Sequence, residues 1–433
     1  MEMGFDRVFA LKGGFREWVE AGYPIQKKES SALGCIPCHT NVTPNVVAQW
    51  EQSEHSRDVN NVSCSVCHGR EHRSADDISR ARTPGAKTCR TCHEEQGADF
   101  AEGKHALARK AVQYGQTLHW PSMAATRNRT GCMRCHKIGL APDLENSTNN
   151  LSTLFETACG SCHSSHAFST DEAASPRTCL PCHRPQWNAY ASSPHGERHE
   201  LKRQGLLPEE SRAPTCQTCH MQKGKHGVRT AWGSQGLKWP LSGDGSAESA
   251  ARKEIFRALG YLDDQGQETQ QFKKIHKLGI VRSNELAWQK ERIRMKKTCF
   301  GCHEASLVKR ELDHAEEILQ RADILLARAL RRVAESWNSP TGNHAGSDRV
   351  LDFPHLTRLY ETDSRMEQLL GLMFRRHRKR AITGAFHLSP ETAYHRGLDR
   401  MRLDLSKIRL LAEEQMKDSS NATQEQRQCT PSK

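Results

Sequence analysis

The spacing of apolar residues along the chain changes at about residue 303. Beyond it, residues 304–337 and 353–381 carry apolar side chains three and four positions apart, which predicts two amphipathic helices. Ser389 and Pro390 are an N-cap and first-turn pair that predicts the start of a third helix. The apolar stripe of this third helix consists of Leu398, Met401, Leu405, Ile408 and Leu411. Such a stripe packs against the preceding part of the chain or, alternatively, against another subunit.

The chain as a whole is short of apolar side chains. Of its 433 residues only 36% are hydrophobic, whereas ordinary globular chains are nearer one half apolar. No run approaches the roughly 18 consecutive apolar residues of a membrane-spanning helix, so the sequence predicts no transmembrane segment. Residues 231–298 are rich in Gly, Ser and charge and predict a loop with short helices, and residues 419–433 predict a disordered tail.

Sixteen of the 17 cysteines form eight Cys-x-x-Cys pairs, and a histidine directly follows every pair. The motifs are Cys35/Cys38/His39, Cys64/Cys67/His68, Cys89/Cys92/His93, Cys132/Cys135/His136, Cys159/Cys162/His163, Cys179/Cys182/His183, Cys216/Cys219/His220 and Cys299/Cys302/His303. The remaining cysteine, Cys429, lies in the polar C-terminal tail. This spacing is the attachment signature of c-type haem, in which two thiols bind one porphyrin and the next residue offers its imidazole to the iron.

Zinc ribbons and disulfide frameworks also pair cysteines, but neither requires a histidine at the next position. We therefore predict eight covalently attached haem c groups, which would supply the interior that side chains do not. The predicted fold is mainly α with little β-structure. It consists of a multihaem cytochrome c core over residues 31–305 and a long-helix C-terminal bundle over residues 306–418. Crowding of the motifs predicts haems close enough to pass electrons to one another.

Eight of the 23 histidines belong to the motifs, which leaves fifteen as candidates for the second axial position of the irons. We predict seven distal ligands, namely His55, His72, His105, His119, His166, His195 and His226. For each of them a surface or structural role is the alternative. The other eight are predicted to be solvated or structural, with His387 as the first exception: His199, His276, His314, His344, His355, His377, His387 and His395. Seven distal ligands would leave one haem open, and eight would leave none.

The order and surroundings of the motifs resemble the octahaem hydroxylamine oxidoreductase (HAO) family over residues 31–418. The resemblance is carried by the Cys64 motif with Gly69 and His72, Gly131-Cys132 with Lys137-Ile138-Gly139, Cys162 to Ser169, Tyr190 to Gly196, Cys216 to Met221 with His226, and Gly384 to His387 with Pro390. It implies that the haem of Cys132, Cys135 and His136 is the catalytic one, with an open distal face. It also implies a homotrimer formed through C-terminal helices.

Two positions depart from the family pattern. In the family a tyrosine is crosslinked to the catalytic haem. Its position corresponds to Thr392 in this chain, and the nearest tyrosine, Tyr394, lies two residues further along. An Asp-His pair that follows the sixth motif in the family is absent, because His183 runs directly into Arg184. Because the crosslink biases the family toward oxidation, its absence favours a reductase or a different substrate. The pentahaem nitrite reductases are a weaker match, since they use Cys-x-x-Cys-Lys at the catalytic haem.

The N-terminal segment carries a second resemblance. Residues 4–24, from Gly4-Phe5-Asp6 to Ala21-Gly22-Tyr23-Pro24, are similar to the last strand and helix of a rhodanese domain. We therefore predict a rhodanese-like C-terminal remnant and linker over residues 1–30. Met1 to Ile25 has no signal peptide, so we expect the export signal of a periplasmic or extracytoplasmic protein to have been lost with an upstream region.

The net charge of +12 changes meaning once haems are added, because eight ferric haems with their propionates bring it to about +4. The basic run from Arg375 to Arg380 is predicted to be a solvated helix face or a docking site for an acidic redox partner, and no nucleic acid is expected. The sequence thus predicts an oxidoreductase that acts on a small nitrogen or sulfur compound, with a cytochrome or quinol-linked redox partner. The alternative is a pure electron-transfer cytochrome whose haems all have two histidine ligands.

Overall fold

The structure is a computed structural model that describes residues 34–57, 62–113, 135–140, 158–232, 236–238, 245–277, 281, 285–337, 353–359, 362 and 364–428. The predictions made for the rhodanese-like segment, Cys132, His119, His344 and Cys429 lie outside these residues. The described residues are mostly helical, and their β-structure is limited to isolated bridges such as Leu262–Glu268. The predicted mainly α fold is therefore confirmed. None of the described helices is long and apolar enough to cross a membrane.

Short helices make up most of what the structure describes between residues 34 and 232. They are α1 (Ile36–Val42), α2 (Pro44–Glu51), α3 (Cys64–His68), α4 (Ala86–Arg90), α5 (Glu94–Ala101), α6 (Ala108–Gln113), α7 (Thr170–Ala174), α8 (Arg184–Ala191), α9 (Pro194–Arg203) and α10 (Cys216–His220). Single 3₁₀ turns lie at Ala75–Arg80, His105–Leu107, Cys159–Ser161, Pro176–Cys179 and Gln222–Gly224. Among the described residues up to 232, the buried hydrophobic side chains are Val47, Tyr190 and four alanines. Side chains alone therefore form almost no core here, in line with the low hydrophobic fraction of the sequence.

A second set of longer helices packs around one apolar core. These helices are α11 (Ala247–Ala258), α12 (Gln270–Lys277), α13 (Glu285–Cys299), α14 (Ala305–Trp337), α15 (Arg365–Leu372), α16 (Lys379–Phe386) and α17 (Asp399–Gln428). π-helical turns at Met373–Arg378 and Glu391–Leu398 join α15 to α16 and lead into α17. The core continues into α11 and α12, where the rings of Phe256, Tyr261 and Phe272 lie 5.7–5.9 Å apart. Part of the predicted 231–298 loop is therefore a folded portion of this bundle.

The predicted C-terminal helices form, with two shifted boundaries. The first, α14, spans Ala305–Trp337 as expected. The second begins at Arg365, because Ser364 caps it by accepting the amide of Glu367 at 3.4 Å, and residues 353–359 form turns. The third continues to Gln428, so the prediction of disorder from residue 419 is wrong for the backbone up to there. Alanine, glutamine, glutamate and arginine in that stretch favour helix.

The apolar stripe of α17 packs inside the bundle. Leu398, Met401, Leu405 and Ile408 are at most 5% exposed, and Leu411 packs at the edge of the same core. Since α17 packs against α14 and α15, the stripe is covered by earlier helices of its own chain. It is therefore not the face that another subunit would contact.

The basic run is not a solvated face. Arg378 is 1% exposed and donates to Asp323, which is 0% exposed, with Arg378 Nε 2.7 Å from Asp323 Oδ1. Arg252 on α11 lies 3.5 Å from the other Asp323 oxygen, and Arg375 is also buried. The sequence could not show that α11 and α14 cover this face. Arg376 remains exposed. The predicted docking site for an acidic partner therefore consists of single exposed charges and not of a continuous basic face.

Two glycines allow α16 and the following π-helical turn to approach closely. A Cβ at Gly384 would contact the backbone nitrogen of Ala393 and lie 2.8 Å from its Cα, and a Cβ at Gly397 would lie 2.6 Å from Ala381 Cα. Both neighbours are backbone atoms, which cannot move aside without separating the helices.

We therefore expect Gly384→Ala to lower the free energy of unfolding by about 1–3 kcal/mol, the usual cost of overpacking. Denaturant unfolding followed by far-UV circular dichroism measures the change. Gly34→Ala is the control, because a Cβ there meets no atom within 4 Å. Equal unfolding midpoints for the two variants would contradict the close approach.

Candidate functional site

Seven pairs of histidine rings face each other across a nearly constant gap. Each pair joins the histidine of one Cys-x-x-Cys-His motif to a histidine outside the motifs. Written with the motif residue first, the pairs and centroid separations are His39–His72 (6.1 Å), His68–His166 (6.0 Å), His93–His55 (6.1 Å), His163–His226 (6.2 Å), His183–His105 (6.0 Å), His220–His387 (6.4 Å) and His303–His195 (5.8 Å). The separation varies by only 0.6 Å although the partners come from many different segments.

The gap has the size that one coordinated metal ion requires. A metal–imidazole bond is about 2 Å long, so two imidazoles on opposite sides of one ion place their ligating nitrogens about 4 Å apart. Their ring centroids then lie roughly 6 Å apart, which is the separation seen in all seven pairs. The residues present therefore fit an iron in a flat ring between each pair, with the two motif cysteines at its edge.

A one-turn geometry brings each motif's three residues together. The amide of His39 donates to the Cys35 carbonyl at 3.0 Å, and the amides of His93, His163, His183 and His303 donate to the first cysteines of their motifs at 2.9–3.0 Å. This i to i+4 bond places both cysteines and the histidine on one side of a helical turn. The motif is therefore preshaped by local backbone bonding.

Four of the predicted attachment cysteines lie at the surface, although the haems are predicted to form the interior. In four motifs the first cysteine is half-buried and the second is exposed; the exposed cysteines are Cys38, Cys92, Cys182 and Cys302. Two of these thiols lie near polar groups. The Thr91 hydroxyl lies 3.9 Å from Cys92 Sγ, and an Arg212 guanidinium nitrogen lies 3.7 Å from Cys302 Sγ.

The exposure of these four thiols does not argue against haem attachment, because a thioether forms at the edge of a porphyrin and needs reach rather than burial. Their attachment to haem stays a prediction.

Hydrogen bonds fix the orientation of several rings. The Nδ1 atom of His68 donates to the Arg82 carbonyl at 3.0 Å, and that of His387 donates to the Thr383 carbonyl at 2.8 Å. The Nδ1 atom of His39 is hydrogen-bonded to the Thr43 hydroxyl at 2.9 Å. With Nδ1 engaged, Nε2 is the nitrogen left for a metal ion. His72 differs, because its Nδ1 contacts a carboxylate oxygen of Asp77 at 2.8 Å.

Burial keeps two of the facing imidazoles neutral. Desolvation, and then the charge of the facing His183, lower the pKa of His105 to about 4. Desolvation, and then His387, lower the pKa of His220 to about 4. A neutral imidazole is the form that coordinates a metal ion. The chain thus holds these rings in their ligating form at neutral pH.

Two of the non-motif histidines sit on backbone that the local sequence holds in place. His195 is in the first turn of α9, where the Ser193 hydroxyl accepts the amide of Gly196 at 3.2 Å. His166 adopts φ of 70°, a left-handed conformation that is costly for a residue with a Cβ. The tertiary structure holds this conformation, and strained backbone of this kind concentrates at functional sites.

The half-buried carboxylate of Asp99 holds the loop of a third non-motif histidine, His226, in place. The Asp99 carboxylate on α5 accepts the backbone amides of His226 and, at 2.9 Å, Gly227. A Cβ at Gly227 would lie 2.8 Å from the Asp99 carbonyl oxygen. The loop that carries His226 is thereby fixed to the helix that directly follows the third motif.

Cysteines and histidines of different motifs lie close enough to influence one another electrostatically. Burial raises the pKa of five thiols, and the second cause in each is a thiol of another motif: Cys35 acts on Cys64, Cys89 on Cys67, Cys179 on Cys162, Cys135 on Cys182, and Cys299 on Cys219. A hydrogen bond also joins the side chains of Cys179 and Cys216. His93 of the third motif lies close enough to His163 of the fifth to contribute to its lowered pKa, after burial and His226.

These contacts order the motifs in space. The first motif adjoins the second, the second the third, the third the fifth, and the fifth the sixth. The sixth adjoins both the fourth and the seventh, and the seventh adjoins the eighth. Nothing in the sequence indicates this order, in which the fourth motif is a branch at the sixth.

The fourth motif is described only over residues 135–140. His136 Nδ1 donates to the Ala108 carbonyl at 2.5 Å, and the Leu140 amide donates to the Ala106 carbonyl at 3.1 Å. These bonds fix the segment to α6 and the preceding turn. Cys135 faces Cys182, so His136 lies beside the sixth motif. Its predicted companions Cys132 and His119 lie outside the described residues.

The positions that depart from the HAO pattern serve structural roles. The Thr392 hydroxyl accepts from the buried Ser389 hydroxyl at 2.9 Å, and Ser389 is hydrogen-bonded to Ser192 at the end of α8 at 2.8 Å. The Tyr394 hydroxyl is hydrogen-bonded to His314 Nε2 at 2.8 Å. Arg184 begins α8 directly after the sixth motif.

Comparison with known proteins places these motifs in a wider group. A family model described as cytochrome c554 and c-prime matches residues 17–69 and 88–164. The probable nitrite reductase-hydroxylamine oxidoreductase fusion protein of Kuenenia stuttgartiensis is 28% identical in an alignment of 242 residues, and the match covers 44% of this chain. The match spans only 26% of that relative's length.

Two solved structures share the fold. One is a chain of the Kuenenia stuttgartiensis reducing HAO-like protein complex, with a TM-score of 0.57, 18% identity and coverage of 93% of this chain and 90% of that one. The other is described as a hypothetical multiheme protein, with a TM-score of 0.64, 16% identity and coverage of 96% and 100%. Both alignments extend over nearly the whole chain.

Proposed function

We propose that this multihaem c-type cytochrome carries eight haem c groups and acts as an octahaem oxidoreductase. In this proposal a small nitrogen or sulfur compound, such as nitrite or hydroxylamine, reacts at the haem of His136, with reduction as the favoured direction. The other seven haems transfer electrons between that haem and a redox partner. The observation that carries the electron relay is the set of seven histidine pairs at 5.8–6.4 Å.

Each pair would hold one haem iron between its two imidazoles, which accounts for seven of the eight proposed haems. Six of the proposed distal ligands are ones that the sequence predicts: His55, His72, His105, His166, His195 and His226. The seventh is His387, which comes from the C-terminal bundle and faces His220. An iron with two imidazole ligands is low-spin and exchanges electrons without binding substrate. The order of motif contacts supports an electron path from the first motif through the sixth to the eighth.

The catalytic role of His136 rests on the HAO resemblance and on position. Its motif branches from the path at the sixth motif, so electrons reach it from both directions. The hydrogen bond to the Ala108 carbonyl would orient the imidazole and increase its electron donation to the iron. The bound haem would supply an iron that coordinates the substrate's nitrogen or sulfur. Thr392 in place of the family's tyrosine favours the reductive direction.

The alternative is an electron-transfer cytochrome in which every haem has two histidine ligands. The seven pairs favour this alternative, because a second histidine faces the motif histidine wherever the structure describes both residues. His119 is the candidate for the eighth distal ligand. The two functions therefore differ in the coordination of one haem.

We place the protein outside the cytoplasm, where haem c proteins of this class work. A redox partner of the cytochrome or quinol-linked type would exchange electrons with the path. For a homotrimer, the surface we propose is the outer side of α17, where Leu403 and Leu410, one heptad apart, are 42% and 59% exposed.

Ferric-state EPR of the purified holoprotein tests the proposed function. We expect one high-spin haem in eight, whose signal shifts on addition of nitrite or hydroxylamine and changes its g-values in His136→Ala, because that iron then loses its imidazole ligand. His395→Ala is the control, since its side chain is 77% exposed. A wholly low-spin protein that binds neither nitrite, hydroxylamine nor sulfite would establish the electron-transfer alternative. Intact mass spectrometry is expected to give a mass increase of eight haems.

A further inference from the structure

One of the paired histidines contacts an anion. Among the paired histidines that the structure describes, His72 is the one whose ring forms an ion-pair contact with a carboxylate, that of Asp77. His39, on the other side of the same gap, bonds to the hydroxyl of Thr43. His68 and His387 donate to backbone carbonyls. Hydroxyl and carbonyl oxygens are neutral acceptors, so the pair His39–His72 has an electrostatic setting that these others lack.

The backbone holds Asp77 against His72. The Asp77 carboxylate accepts the amide of Arg73 at 3.0 and 3.1 Å and the amide of Ser74 at 2.9 Å. Three such contacts from one turn prevent the side chain from rotating away and favour its charged form. The Asp77 and His72 side chains are 20% and 26% exposed.

A carboxylate on Nδ1 changes what the other ring nitrogen offers to a metal. It draws the Nδ1 proton toward itself and makes Nε2 a stronger electron donor. A stronger donor stabilises ferric iron relative to ferrous iron, because ferric iron carries one more positive charge. The reduction potential of that haem falls as a result.

We propose that Asp77 is a positioning residue that lowers the reduction potential of the haem between His39 and His72 and makes it the low-potential end of the electron path. The inference rests on the proposed coordination of the first haem. Within the part of the chain that the structure describes, the first motif adjoins the second through the Cys35–Cys64 contact, and no other motif is found beside it. An electron that arrives at the first haem therefore moves to higher potential as it passes inward, so this end is the entry point for a reductive reaction.

A redox titration of the holoprotein, followed optically and by EPR, tests the proposal. In Asp77→Asn we expect the ratio of reduced to oxidised haem at a fixed potential to rise about tenfold for one haem, which is about 59 mV for a one-electron couple. Asp76→Asn is the matched control. It removes the same charge one residue away, from an exposed side chain, and we expect it to leave every midpoint unchanged.

Other results would overturn the inference. If Asp77→Asn shifts no midpoint, or if both variants shift one equally, the contact with His72 does not set the potential. Asp77→Glu keeps the charge, and we expect its midpoint to stay closer to wild type than that of the asparagine variant. A glutamate variant shifted as far as the asparagine variant, or a new high-spin signal without a shifted midpoint, would assign Asp77 to holding the turn only.

The coordination itself is checked separately. His72→Ala in the same preparation is expected to convert one low-spin haem to high spin. If it does not, the proposed pairing at the first haem fails, whatever Asp77 does. A normal His72→Ala result with unshifted Asp77→Asn midpoints leaves the proposed function standing and removes only the role of Asp77.

Discussion

Replacing His387 by alanine is expected to turn one of the low-spin haems high-spin and to interrupt electron transfer to the eighth motif. The His387 ring faces His220 at 6.4 Å, and its Nδ1 donates to the Thr383 carbonyl at 2.8 Å. Removing the ring leaves the iron between them with one protein ligand. The seventh motif lies between the sixth and the eighth, so a change in its haem affects the whole path beyond it.

Ferric EPR counts the high-spin haems, and stopped-flow reduction reports how many haems are reduced rapidly. We expect the number of high-spin haems to rise by one and a slow phase to appear in the reduction. His314→Ala is a suitable control within the same bundle, because His314 bonds to Tyr394 rather than to a motif histidine. A spectrum of His387→Ala that matches wild type would refute the assignment of His387 to the seventh haem.

Replacing Asp323 by alanine is expected to lower the free energy of unfolding by about 3–5 kcal/mol, because it leaves a buried charge without its partner. Arg378 and Asp323 are 1% and 0% exposed, and Arg252 lies beside them with 6% of its side chain exposed. The buried guanidinium of Arg378 then loses its carboxylate, whereas Arg252 still pairs with Glu248. Denaturant unfolding of the holoprotein, followed by far-UV circular dichroism, measures the loss.

Glu317→Ala provides the comparison on the same helix. Glu317 pairs with Arg321 one turn away, where both side chains are about half exposed, so we expect a loss of about 0.5 kcal/mol or less. Equal losses for Asp323→Ala and Glu317→Ala would show that the buried network contributes no more than a surface pair. Arg378→Met should also destabilise, because Asp323 then keeps only the longer contact to Arg252.

The sequence predicts the motifs and most of their partners because these depend on local spacing. Six of the seven predicted distal histidines face motif histidines, and their binding of iron stays a prediction. His387 was placed outside that set because it lies far along the chain from His220, where short-range context carries no signal. The order of the motifs in space depends on tertiary contacts such as Cys135–Cys182, which no spacing rule reveals.

In the C-terminal bundle, too, local spacing predicts the helices but does not predict what each helix packs against. Apolar spacing predicts α14 and the stripe of α17, since a helix with one apolar face has a periodic sequence. The partner of the stripe could not be predicted, because the spacing is the same whether the face meets haem, a subunit or a neighbouring helix. The burial of Arg378 was missed for a related reason: a run of basic residues resembles a solvated face until Asp323 and α11 are placed over it.

The pairing of His220 with His387 has a consequence for how the protein is made. A chain exported from its N-terminus presents all eight motifs before residue 387 emerges. On the proposed coordination, haem attachment at Cys216 and Cys219 can be complete while the iron still lacks its second protein ligand. The sixth bond then forms when the C-terminal bundle docks, so a prematurely terminated product would be distinguishable from the finished protein by the colour and magnetism of a single haem. The coordination of a haem that is attached early in biosynthesis would thus depend on the segment of the chain that is made last.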